Sequence, residues 1–84
     1  MSRSSISKNF GATVRLLRTA AGFSQEKLAQ SAELHPTYIS MLERGVRNPT
    51  LDVAARIAKA LDLPLPKLIQ KAENYPTGGK DSRP

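Results

Sequence analysis

Ser24, Glu26 and His35 are the only side chains of this sequence whose types and spacing suggest a catalytic set. A serine nucleophile needs a base oriented by a third group, and nothing in the sequence orients this histidine. Ser24 has a simpler use as a helix N-cap, with Glu26 in the first turn where negative charge suits the helix dipole. The sequence has one histidine and no cysteine, and no acidic cluster surrounds His35, so no metal site, cofactor or catalytic residue is expected. The stretch that could do other work runs from Phe23 to Arg47, FSQEKLAQSAELHPTYISMLERGVR. It reads as two short helices joined by a tight turn. The second has a polar outward face and arginines at its end, a chemistry of hydrogen bonding to a large anion.

Charge supports that direction. The chain carries 13 Lys and Arg against 7 Asp and Glu, for a net charge of +6 and a pI near 10.2. A small basic domain attracts polyanions. A membrane surface would need large apolar and aromatic anchors opposite the charges. The sequence has no Trp and only two each of Tyr and Phe, so no membrane partner is expected. No apolar run approaches the roughly 18 residues of a span. MSRSSISKNF lacks the apolar core of a secretory signal, and a cytoplasmic location is expected. Eighty-four residues make one small domain. A chain of this size buries only about 60 % of its unfolded surface, so further burial by dimerisation is unsurprising.

Five helices are needed to hold the central stretch. Residues 1–5 read as a flexible arm, 6–73 as the folded domain and 74–84 as a disordered tail rich in Pro, Gly and charge. Phe10, Val14, Leu17 and Ala21 recur on one face of a first helix, and Gly22 supplies its left-handed end. Leu16 lies off that stripe as a surface or second-interface residue. The second helix spans about Gln25 to Ala32, with Leu28, Ala29 and Ala32 inward. Glu33-Leu34-His35-Pro36 is too short to wander, so the next helix packs at a steep angle. Pro36 is tolerated only in a first turn and places the start of the third helix, which buries Ile39 and Leu42 and ends at Gly45. Thr50 caps a fourth helix with Leu51, Ala54, Ile57, Ala58 and Leu61 on its stripe. Leu65, Leu68 and Ile69 give the apolar side of a fifth. No strand pattern occurs, and the fold class is all-α.

Residues 10–70 resemble the helix-turn-helix domain of the phage repressor and Cro (XRE-type) class, a compact five-helix lambda-repressor-like fold with the motif at helices 2 and 3. The resemblance rests on Arg15, Arg18, Gly22, Ser24-Gln25-Glu26, Leu28-Ala29, Ile39-Ser40, Leu42-Glu43-Arg44-Gly45, Pro49 and Ile57-Ala58-Lys59-Ala60-Leu61. Within the class, TYISMLERGVRNPTL is most similar to the controller proteins of restriction–modification systems. It implies a homodimeric, sequence-specific transcriptional regulator, not an enzyme, that binds double-stranded DNA at a near-palindromic operator without a small-molecule effector. Antitoxins and phage-type repressors share the pattern. A protein-interaction adaptor without base readout is the reading from another class.

The resemblance also implies roles for residues. Gln25 matches a phosphate anchor at a helix N-terminus. Thr37 and Ser40 match positions that reach base edges, and Tyr38 one that contacts phosphate or the neighbouring base step. Met41 shares their exposed face. Arg44, Arg47 and Asn48 follow the recognition helix, with Arg47 suited to a bidentate contact with guanine. From the residues themselves, Arg15 either touches phosphate or simply solvates the first helix, His35 is a turn residue or weak N-cap with phosphate as the alternative, and Ser24 is a further candidate for phosphate. Arg18 and Glu43 match a structural ion pair, and Leu65, Leu68 and Ile69 are the expected dimer anchors. Two departures stand out. Glu33 occupies a turn position where the class usually has Gly or Asn, and Pro36 replaces a base-reading polar residue. Specificity is therefore expected to lean on Thr37, Ser40 and Arg47.

Overall fold

The computed structural model describes residues 5–75. The five helices are α1 (Ser5–Ala20), α2 (Gln25–Ala32), α3 (Pro36–Glu43), α4 (Leu51–Ala60) and α5 (Leu65–Glu73), with no strand among the described residues. Ser5, assigned above to the arm, opens α1 instead. The rest of the arm, and the tail beyond Tyr75, lie outside the described residues. No helix among them is long and apolar enough to cross a membrane.

Local chemistry sets the helix starts. Ser24 caps α2 by accepting the Lys27 N–H at 3.0 Å, and Thr50 caps α4 by accepting that of Val53 at 3.1 Å. His35 caps α3 through Nδ1, which accepts the Thr37 N–H at 3.1 Å, and Pro36 follows in the first turn. The lone pair on Nδ1 is thus committed, which leaves Nε2 to carry the proton of the neutral ring.

Four helices end in the same way. Gly22, Glu33, Gly45 and Asp62 have φ of 80°, 60°, 79° and 63°. The next residue then donates its N–H back to a carbonyl five residues earlier: Phe23 to Arg18, Leu34 to Ala29, Val46 to Met41 and Leu63 to Ala58. Glu33 therefore adopts the left-handed conformation, at a cost of roughly 1 kcal/mol. Glu33→Gly is expected to stabilise the domain by up to about 1 kcal/mol. A raised urea midpoint at unchanged slope is the signature; no rise would mean the strain is already relieved locally. Asp62 does the same at the end of α4, a left-handed position that the sequence pattern left unassigned.

The core lies where the helices converge, with Val14, Leu28, Ile39, Leu42, Ile57 and Leu68 fully buried. α1 packs against α3 and α5, and α4 joins α2 to α5. Gly11 permits the α1–α3 approach, because a Cβ there would lie 2.0 Å from the Leu42 carbonyl oxygen. Three apolar assignments change. Ala21 lies past the end of α1 and is exposed. Leu51, the first residue of α4, is 78 % exposed although Val53 and Ala54 in the same turn pack inward. Leu68 is fully buried within the core, so it cannot anchor a partner; the fold has already consumed its surface.

Candidate nucleic-acid interface

The α2–α3 unit is held from behind by one cluster of polar side chains. Arg18, on α1, donates to both carboxylate oxygens of Glu43 at the end of α3, from Nε at 2.7 Å and Nη2 at 3.1 Å. Its Nη1 donates to the Phe23 carbonyl at 2.7 Å. Gln25, at the start of α2, adds a third donor to Glu43, from Nε2 at 3.0 Å. The carboxylate thus ties together α1, the entry to α2 and the exit of α3. The side chains of Arg18 and Glu43 are 11 % and 3 % exposed, so their attraction is screened much less than that of a surface pair. The expected ion pair is present, and the N-terminus of α2 is anchored to it. The resemblance implies a phosphate contact for Gln25; in the structure its amide nitrogen is engaged with Glu43, and its amide oxygen remains as an acceptor.

A second brace lies behind the turn. Arg56 of α4 donates from Nη1 to the carbonyl of Glu33 at 3.3 Å and lies 3.4 Å from Asp52 through Nε. It steadies the left-handed residue between α2 and α3. No sequence signal marked it, because an exposed arginine one turn from an aspartate reads as a solvated helix pair.

The outer surface is built from what these braces leave unused. Thr37, Arg44, Arg47 and Asn48 are exposed, while Ser40 and Met41 are half-buried. None of their side chains has a hydrogen-bond partner among the described residues, so the donors of Thr37, Ser40, Arg44, Arg47 and Asn48 remain available. Tyr38 departs from expectation: its ring packs against the core and is half-buried. Tyr38 thus serves the fold as well as any contact made by its hydroxyl. Arg15 is exposed on α1, whereas Ser24 and His35 are occupied as caps. Leu65 and Ile69 lie half-buried on one flank of Leu68 and line an open apolar groove with Pro64 and Pro66. Among the described residues no group of three or more His, Cys, Asp or Glu could hold a metal ion.

Two short helices clamped at a fixed angle, the second carrying free polar groups outward, define a motif by geometry as well as by sequence. The helix-turn-helix family profile matches residues 14–68, most of the folded chain. The chain belongs to the helix-turn-helix family. It is 53 % identical over 53 residues to the control protein C.BamHI of Bacillus amyloliquefaciens, a match spanning 62 % of this chain and 65 % of that protein. To the control protein C.SmaI of Serratia marcescens it is 45 % identical over 58 residues, 69 % of each chain. Its fold is similar to that of the restriction-modification controller protein C.AhdI from Aeromonas hydrophila, with a TM-score of 0.70 and 43 % identity. That likeness covers 73 % of this chain and 92 % of the other. In helix-turn-helix proteins the second helix of the motif lies in the major groove and the first crosses the backbone. In this member the two helices of the motif are α2 and α3.

Proposed function

We propose that this helix-turn-helix protein is a homodimeric, sequence-specific regulator of transcription, of the restriction–modification controller type, acting on a near-palindromic operator. The observation that carries the reading is the division of labour around α3. Its buried side is committed to the core and to the Glu43 cluster, while Thr37, Ser40, Arg44, Arg47 and Asn48 are left with unused donors. The similarity to control proteins gives the regulatory assignment. A net charge of +6 supplies the long-range attraction to DNA.

Thr37 and Ser40 at the front of α3 and Arg47 beyond its end would read bases. Gln25, through its free amide oxygen or the adjoining helix N-terminus, and Arg15 would hold the backbone. Dimerisation through Leu65, Ile69 and the adjoining groove would place two recognition helices about one helical turn, roughly 34 Å, apart.

Selection of bound sequences from a random DNA pool tests the proposal. Two inverted half-sites at that spacing are expected, bound with an affinity that falls steeply as salt rises, because phosphate contacts release counterions. Recovery of no preferred sequence, or a flat salt titration, would overturn it. Arg47→Ala is expected to weaken operator binding by roughly 1–3 kcal/mol per half-site and relax base preference at one position. Unchanged affinity and preference would remove Arg47 from the readout.

A further inference from the structure

The four left-handed helix exits carry an apolar residue at the same place: Phe23, Leu34, Val46 and Leu63. Such a motif usually turns that residue inward against the helix it ends. Leu34 and Leu63 do so and pack against the core, and Phe23 is half-buried. Val46 is 61 % exposed. Slack backbone is not the reason, since its N–H is bonded to the Met41 carbonyl at 3.0 Å as in the other three. The residue has the same backbone bond as the other three and faces solvent.

Its neighbours give that exposure a meaning. Val46 lies in a run with Arg44, Arg47 and Asn48, all exposed, on the surface assigned above to DNA. A valine among donors adds nothing to a phosphate contact. The major groove offers one apolar group on its base edges, the C5-methyl of thymine. Valine is stiff at χ1 and presents a fixed apolar shape, which suits contact with a methyl at a fixed height. We infer that Val46 reads a thymine methyl beside the base contacted by Arg47, which makes it a specificity-determining residue. This inference rests on the proposed function.

The test uses the operator recovered by selection, with its thymines replaced one at a time by deoxyuridine, which lacks only the methyl. Binding is followed by fluorescence anisotropy for the full chain, for Val46→Ala and for Leu51→Ala, the last altering the other exposed apolar residue flanking this loop. For the unaltered protein, one deoxyuridine position is expected to weaken binding by about fourfold per half-site, the worth of one buried methyl group. Val46→Ala should weaken binding to the thymine operator to a similar degree and be indifferent to deoxyuridine at that position. Leu51→Ala should keep the full discrimination. A thermal melt of Val46→Ala matching that of the parent confirms that the fold is intact; if it does not, Val46→Ser, which also removes both methyl groups, replaces it. A penalty that persists without the valine side chain, or that vanishes in Leu51→Ala, would overturn the inference. So would an operator in which no thymine is sensitive, with the regulatory reading left standing. Failure to select any sequence would instead overturn that reading and this inference with it.

Discussion

Glu43→Ala is expected to destabilise the domain by about 3–5 kcal/mol, the effect of breaking a buried ion pair from one side. The carboxylate accepts three hydrogen bonds, two from Arg18 and one from Gln25, and its side chain is only 3 % exposed. Without it the Arg18 guanidinium, 11 % exposed, keeps only its bond to the Phe23 carbonyl. The penalty is that of a charge left out of water without its partner, rather than the net worth of the pair. Small domains are stable by only about 5–15 kcal/mol, so a large share of the protein's stability is at stake. Urea denaturation followed by circular dichroism measures the loss. Replacing both partners, as Arg18→Met with Glu43→Leu, should restore most of it, because two apolar side chains carry no desolvation penalty. A loss below about 1 kcal/mol would place the pair with ordinary surface salt bridges.

The second large effect separates the core from the dimer face. Leu68→Asp is expected to unfold the domain, because it places a carboxylate at a site with no exposure and no partner. Even Leu68→Ala should cost about 2–5 kcal/mol. Ile69→Asp should behave differently: this half-buried residue lines the open groove beside Leu65, and its variant should remain helical while becoming monomeric. Circular dichroism reports the first outcome and light scattering the second. A folded, monomeric Leu68→Asp protein would mean that the α1–α5 packing is looser than described. An intact Ile69→Asp dimer would move the interface away from this edge of α5.

Helical spacing explains why the two residues were grouped together. Leu65, Leu68, Ile69 and Ala72 share one stripe, but only Leu68 and Ala72, toward one edge of it, are fully enclosed, while Leu65 and Ile69 lie toward the other edge. Periodicity identifies a face. How deeply each position sinks depends on the width of the opposing helix and on how near α1 approaches. The same limit applies to Leu51, which has the right spacing for the α4 stripe but is 78 % exposed at the first residue of the helix. Ala21 failed for a local reason: the helix had already ended.

The sequence by itself determined the features whose causes lie within a few residues. These are the caps at Ser24 and Thr50, the start at Pro36, and the ends at Gly22 and Gly45. Hydrogen bonds inside one turn of chain depend on residue type and spacing alone, so they can be read in order. The family resemblance added the Arg18–Glu43 pair, a contact across 25 positions that spacing could not supply. Only the tertiary structure decided the rest of that stretch from Phe23 to Arg47. It joined Gln25 to the Glu43 carboxylate, turned the Tyr38 ring toward the core and set Arg56 behind the turn. It also required glycine at position 11, where α1 meets α3, and left Val46 facing solvent. Each of these depends on which helix lies opposite and how closely it packs, and a linear pattern does not contain that distance.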